Sequence, residues 1–249
     1  SRSGEAGGDI KALIRSYNLS PDFPGRVRSE ASVMAGEEIS ESLAGRRDLT
    51  DKKVITIDGE DAKDLDDGIS IEKTPSGNTL LGVHIADVNH YVREGGQLDK
   101  EALKRGTSVY LIDQVIPMLP AELSNGACSL NPGVDRLTLS VDMEIDSTGK
   151  VIRHEIYESV IRSWARMTYD DVSDILEKDA VNLISRYTGI IDELHLMEEL
   201  ASILRKKRLD RGSLDFDLNE AAIVLDEKGV PVSVEIIERR TANKMIEEF

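Results

Sequence analysis

Apolar positions along the chain follow two different spacings. Leu137, Leu139, Val141, Met143 and Ile145 alternate strictly with polar residues, the period of a strand with one buried face. Val54, Ile55 and Ile57 form a shorter apolar run, and Ile69 and Ile71 alternate after it. Pro75-Ser76-Gly77-Asn78 is turn chemistry and precedes an apolar strand from Thr79 to Ile85, which predicts a hairpin. A second turn, Ser147-Thr148-Gly149-Lys150, leads into a returning strand. Elsewhere the spacing is helical. Leu194, Met197, Leu200, Ile203 and Leu204 lie on one face of the longest predicted helix, Ile191 to Arg211, which Gly212 stops. Shorter helices are predicted at Asp9 to Tyr17, broken by Pro21 to Pro24, at Val27 to Ala35, closed by Gly36, and at Leu98 to Arg105, ended by Gly106. Thr168, with Asp171 three residues on, can cap another. A last hairpin, Ala222 to Ile237, turns at Asp226-Glu227-Lys228-Gly229. The expected fold class is α+β: antiparallel β hairpins and a mixed sheet packed with helices. Residues 1–48 read as a lead-in segment without a core of its own, and residues 49–249 as the domain proper.

At 249 residues the chain is long enough to bury a substantial core, and its 40% hydrophobic and 31% charged content fits a soluble globular protein. No stretch is apolar enough to span a membrane, and the N-terminus lacks a signal pattern. The single cysteine, Cys128, cannot form an internal disulfide, so a cytoplasmic, reducing setting is expected. A net charge of −16 argues against a non-specific nucleic-acid coat. It leaves room for an enzyme acting on nucleic acid, because a metal-filled acidic site can handle phosphates. The chain opens on Ser1 and ends at Phe249 inside what reads as a starting helix, TANKMIEEF, so a fragment is expected.

The charge is concentrated in DGEDAKDLDD, where Asp58, Glu60, Asp61, Asp64, Asp66 and Asp67 crowd a loop between two strand-like runs. Two carboxylates about 5 Å apart repel by roughly 3 kcal/mol at an effective dielectric near 20. Protonation, basic neighbours or a bound hard cation must offset that repulsion. In extended backbone Asp64 and Asp66 share a face and Asp67 points the other way. Gly59 and Gly68 allow the loop to curve, so Asp58, Asp64, Asp66 and Asp67 can surround one point. Carboxylates without His or Cys favour Mg²⁺ or Mn²⁺ over Zn²⁺. A solvated acidic loop is the plain alternative. An EF-hand fails on spacing: with Gly68 as the loop glycine, Lys63 and Leu65 fall on ligand positions and Thr74 on the closing one. Cys128, in GACSL, reads as a buried apolar group, Ser129 has no evident partner, and His84, His90, His154 and His195 show no metal-ligand pairing.

The ordered blocks VITIDGEDAKDLDDGISIE, GVHIADVNHYV, RGTSVYLIDQVIPMLPAELSNGACSLNPGVDRLTLSVDMEI and ARMTYDDV resemble the RNB catalytic domain of the ribonuclease II and ribonuclease R family, closer to the ribonuclease R branch. The resemblance covers about residues 49–249. It implies a processive, hydrolytic 3′→5′ exoribonuclease that releases 5′ nucleoside monophosphates from single-stranded RNA. It also implies Mg²⁺ (or Mn²⁺) on Asp58, Asp64, Asp66 and Asp67, with Asp66 the catalytic position most directly tied to hydrolysis. Tyr110 and Tyr169 match positions that contact RNA. His84 and Asp87 are expected to brace the strand behind the site, and Arg136 and Arg166 to serve either phosphate or a structural salt bridge. By the same resemblance the cold-shock domains before the catalytic domain, the S1 domain after it, and the second half of the catalytic domain lie outside this sequence. The fragment alone is expected to be inactive. Two rivals remain: a non-catalytic RNA-binding or scaffold relative, and an acidic cation-binding module.

Overall fold

The computed structural model describes residues 8–215, 220–226 and 229–249. In chain order these form α1 (Gly8–Ser16), α2 (Gly25–Ala35), β1 (Arg47–Asp58), β2 (Asp67–Lys73), β3 (Thr79–Ala86), α3 (Val88–Tyr91), α4 (Gln97–Arg105), β4 (Val109–Tyr110), β5 (Val115–Ile116), β6 (Asp135–Ile145), β7 (Val151–Thr168), α5 (Tyr169–Lys178), α6 (Val181–Arg186), α7 (Ile191–Asp210), β8 (Glu220–Leu225), β9 (Pro231–Ile237) and α8 (Thr241–Glu248). They fall into two compact units. One comprises Ser1–Gly36, Tyr91–Ser124 and Asp217–Glu238; the other comprises Glu37–His90, Asn125–Phe216 and Arg239–Phe249. The 1–48 lead-in is thus divided: α1 and α2 belong to the first unit, and the segment from Glu37 belongs to the second.

The second unit is built on a closed barrel in the order β1-β2-β3-β6-β7. Neighbours are antiparallel except β7, which returns parallel to β1 and closes the ring. Strand alternation gives the barrel wall two faces. Ile55, Ile57, Ile69, Ile71, Leu81, Ile145 and Met167 join one core with Val172 and Ile175 of α5, Leu194, Met197 and Leu200 of α7, and Ala242 and Met245 of α8. Helices can reach only the outside of a closed barrel, so this core lies on the outer face. The inner face is polar. Ser70, His84, Thr138, Ser140 and Ser159 are all buried. They form a continuous hydrogen-bonded chain: His84 Nε2 with Ser70 Oγ at 2.9 Å, His84 Nδ1 with Ser140 Oγ at 2.7 Å, and Ser159 Oγ with both Ser140 and Thr138 at 2.6 Å. Buried polar groups are tolerated when paired in this way. Gly82 makes room for the chain, since a Cβ there would stand 2.4 Å from Ser70 Oγ.

This arrangement corrects the expectation for β6. Leu137 and Ile145 are buried, but Leu139 is 48% exposed while its polar neighbours Thr138 and Ser140 are enclosed. A closed barrel gives every strand an inner face, and here β6 turns its hydroxyls inward. Arg46 fixes one end of the interior: it donates to Thr138 O at 3.3 Å and pairs with Asp87.

In the first unit, Val27, Ala31 and Met34 form the buried stripe of α2. Glu30 of α2 accepts from the backbone N–H of Gln97 at 2.7 Å, satisfying an N-terminal donor of α4. Arg105 at the other end of α4 lies 3.7 Å over the Phe23 ring and donates to Asp22 O and Pro117 O. β8 and β9 pair as the expected hairpin, with Ile223 opposite Val234, although residues 227 and 228 of its turn lie outside the described residues. Gly212 adopts φ 91° after α7, and the Thr168 hydroxyl caps α5 by accepting from the Asp171 N–H at 3.0 Å.

Candidate active site

The acidic loop closes one end of the barrel. β1 runs out at Asp58, paired with Thr168 at the end of β7, and Tyr169 begins α5 immediately after. β2 starts at Asp67, opposite Ile85 of β3. The loop between β1 and β2 is fastened at its centre. Leu65 is 1% exposed, its carbonyl accepts from the Leu130 N–H at 2.8 Å, and Asp66 O accepts from the Ala86 N–H at 2.9 Å. Burial of Leu65 turns its neighbours Asp64 and Asp66 away from the core. Gly68 is required by space: a Cβ would meet Val54 Cγ1 at 2.8 Å. Gly59 is different, with open space around it and no positive φ, so the freedom expected of it is not used.

The electrostatics mark this loop as a charge cluster. Burial pushes the Asp58 carboxyl up to about 6, Asp67 adds to the rise, Arg166 opposes it, and Asp66 and Asp64 add smaller amounts. Asp66 is raised first by burial and then by Asp64 and Asp67, and Asp67 is raised by burial. Each effect disfavours the charged form. Asp58 Oδ2 is enclosed and has no hydrogen-bond partner. An enclosed carboxylate oxygen without a donor, among carboxylates that raise one another, fits an oxygen-seeking cation. As placed, no three His, Cys, Asp or Glu side chains among the described residues converge in ligating arrangement. The residue types and the orphaned oxygen therefore fit Mg²⁺ or Mn²⁺, while the side chains are not drawn in around a point.

Tyr169 shares this end of the barrel. Its hydroxyl is raised by burial and then by the charges of Asp58, Asp67 and Glu247. Tyr110 belongs to the other unit, on the short β4 paired with β5, and is 66% exposed. His84 lies in the barrel interior, where burial lowers its imidazole to about 4. Asp87 braces Arg46. Cys128 is buried and its thiol pushed up to about 12, mainly by burial, which removes it as a nucleophile.

Both expected arginines bond to the backbone. Arg136 Nε donates to Ser129 O at 2.8 Å, and Arg166 Nη2 donates to Gly59 O at 3.2 Å and Glu60 O at 2.5 Å. Ser129, for which the sequence offers no partner, is fully enclosed. Its hydroxyl donates to Lys63 O at 2.8 Å and accepts from the Leu65 N–H at 3.1 Å. Glu247, near the end of α8, also acts on Tyr169 but is remote in sequence from the loop, so no acidic run marks it.

Residues 46–249 match the RNB domain family. The chain is 51% identical over 244 residues to ribonuclease R of Thermotoga maritima, covering 97% of this chain and 34% of that protein. It is 44% identical over 248 residues to ribonuclease R 1 of Lactococcus lactis, covering 100% of this chain and 30% of that protein. A solved structure of Mycoplasma genitalium RNase R in complex with ribose-methylated single-stranded RNA superposes with a TM-score of 0.89 at 32% identity, covering 96% of this chain and 37% of that one. The chain thus spans about a third of the length of the curated relatives it matches.

Proposed function

The chain belongs to the RNB domain family, and from that premise we propose that it supplies the acidic, metal-holding part of a hydrolytic 3′→5′ exoribonuclease of the ribonuclease R type. The observation that carries the proposal is the loop Asp58 to Asp67, fastened at a barrel end with an enclosed, partnerless carboxylate oxygen at Asp58. In this reading Asp58, Asp64, Asp66 and Asp67 hold Mg²⁺, with Mn²⁺ able to replace it. A metal held there would supply an activated water and charge stabilisation for an in-line displacement, the chemistry that releasing 5′ nucleoside monophosphates would require. The protein's own part is positional. The buried Leu65 fixes the backbone from which Asp64 and Asp66 project, and Asp66 orients the attacking water.

Single-stranded RNA is the substrate in this reading. The aromatic faces of Tyr110 and Tyr169 offer stacking that does not depend on base identity, as an enzyme that accepts every nucleotide requires. Cold-shock and S1 domains and a second catalytic segment of the parent protein supply the remaining RNA contacts. The lone, buried thiol of Cys128 is consistent with a reducing cytoplasmic setting, and no described helix is long and apolar enough to cross a membrane.

The test is Asp66→Asn in the full-length parent. Asn keeps the size and one oxygen but loses the charge. A group that acts mainly in the transition state lowers turnover far more than ground-state affinity. Single-turnover degradation of end-labelled poly(A) should be abolished, with binding in chelator preserved. Product release like that of the unmodified enzyme would overturn the assignment. RNA bound but not degraded by the unmodified enzyme in Mg²⁺ would favour the RNA-binding scaffold reading.

A further inference from the structure

Besides the backbone bonds from Leu130 and Ala86, two side chains outside the acidic loop grip its backbone, at different parts. On one side Arg166, projecting from β7, holds the carbonyls of Gly59 and Glu60 just after Asp58. On the other, Ser129 holds Lys63 O and the Leu65 N–H on either side of Asp64. Ser129 satisfies both a donor and an acceptor of the loop with one hydroxyl. It is itself fixed, because its carbonyl accepts from Arg136 Nε and its neighbour Leu130 donates to Leu65 O. Every member of this set is inside the same compact unit.

The geometry points to Ser129 and Arg166 as positioning residues for the four aspartates: they set the course of the loop and thereby the spacing of the carboxylates. The inference rests on the exoribonuclease reading and extends it to two residues that do not themselves need to touch RNA or metal. The physical argument is one of repulsion. Six acidic side chains between Asp58 and Asp67 push a loop open, and a loop of this kind stays curved only if its backbone is tied from outside. Ser129 is chemically suited to that task, because a hydroxyl between two backbone groups substitutes for a missing turn hydrogen bond. Arg166 adds a positive charge beside Asp58 as well as two donors. Its Nε is enclosed and without a partner, so the guanidinium sits where it does for the sake of its Nη2 contacts.

The closing experiment uses the full-length parent enzyme. Ser129→Ala removes one hydroxyl and adds no bulk or charge. Arg166→Lys keeps the charge, but its ammonium ends one bond short of the Nη2 that donates to both carbonyls. Displacing reacting groups by about 1 Å costs roughly a hundredfold in rate. Each variant should therefore lose about tenfold to a hundredfold in kcat, with RNA affinity in chelator unchanged. Each should also need a higher Mn²⁺ concentration for half-saturation in electron paramagnetic resonance titrations without RNA. Because both residues tie one loop, the double variant should fall short of the product of the single effects. A purely structural role would lower the melting temperature but leave kcat and Mn²⁺ half-saturation unchanged in the folded fraction. That result in both variants overturns the proposal. If Ser129→Ala fails to fold, Arg166→Lys decides it by the same readouts. Failure of the broader reading looks different: the unmodified enzyme would show neither metal-dependent RNA degradation nor Mn²⁺ binding.

Discussion

Asp58→Asn should stabilise the barrel end in the absence of metal and abolish its response to Mg²⁺. Asp58 is raised to about 6 from an ordinary value of 3.8, so its charged form is disfavoured in the fold. A carboxyl raised on folding gives its full contribution below the unfolded value and loses it as pH climbs through the folded value. At pH 7 the cost is therefore fully present. At ~1.4 kcal/mol per pH unit the gap between 3.8 and 6 sets a ceiling of about 3 kcal/mol. The residue is only partly enclosed, and solvent screening reduces this to about 1–2 kcal/mol. The amide also leaves an enclosed polar atom to be satisfied, which takes back part of the gain. In chelator the net expectation is about 1 kcal/mol of added protection for the amides of β1 and β2, read by hydrogen exchange in the intact parent chain. In millimolar Mg²⁺ the order should reverse, because the unmodified protein gains binding free energy and the variant does not. A variant less protected in chelator by 1 kcal/mol or more, about one such step in the linkage, would refute the charge argument. Equal gains from Mg²⁺ in both proteins would refute the site.

Two further outcomes follow from the same physics. Tyr110→Ala in the parent should weaken single-stranded RNA retention by about 1–3 kcal/mol, the range for a lost base-stacking face; because the ring is 66% exposed, folding should be little affected, and unchanged filter binding by a folded variant would make Tyr110 a packing residue. His84 is neutral in the fold, with its imidazole lowered to about 4, so its contribution is full above pH 6.5 and is lost as pH falls toward 4; protection of β3 and β6 amides, corrected for intrinsic exchange, should drop by about 2–3 kcal/mol between pH 7 and pH 4.5 relative to His84→Gln, and parallel profiles for the two proteins would show that His84 does not titrate with folding.

Local chemistry in the sequence reached a long way here, and the reason is that the site is a single loop. DGEDAKDLDD carries its carboxylates within one decade of residues, so charge density alone marks it. The hairpin β2–β3, the cap at Thr168 and the stop at Gly212 are likewise short-range signals. What the sequence does not display is contact at long separation. The Ser129 hydroxyl meets the Leu65 N–H across 64 positions, and Arg166 reaches Glu60 across 106. No periodicity encodes either. The parallel closure of β7 on β1 is of the same kind, pairing Thr168 with Asp58 after three intervening strands of the same wall. β6 shows a subtler limit. Alternation tells that two faces differ, but the assumption that the apolar face is the enclosed one holds for an open sheet. In a closed barrel whose interior is satisfied by His84 and four hydroxyls, the polar face is the inner one.

The acidity of the chain and the proposed polyanionic substrate can be reconciled by asking where the positive charge goes. Arg205 and Arg239 both pair with Asp215, and Arg239 also holds Glu247. Arg208 forks onto Glu248 at 2.6 Å, and Arg240 gathers Asp174 at 2.5 Å and Glu177 at 2.8 Å. These arginines tie α8 to α5, to α7 and to the segment after α7, and their fields are cancelled where they stand. Arg166, whose charge acts on Asp58, is spent on carbonyls of the loop. With a net charge of −16, the described surface offers phosphate little fixed attraction. On the proposed reading, RNA is held in this part of the protein by a divalent ion, which would reverse the sign of the field at Asp58 to Asp67, and by aromatic stacking, which is indifferent to charge. On that reading the acidic loop is both the obstacle to RNA and, once charged with metal, the means of placing its phosphate. That division predicts that the ties that keep the loop curved matter more to catalysis than to grip.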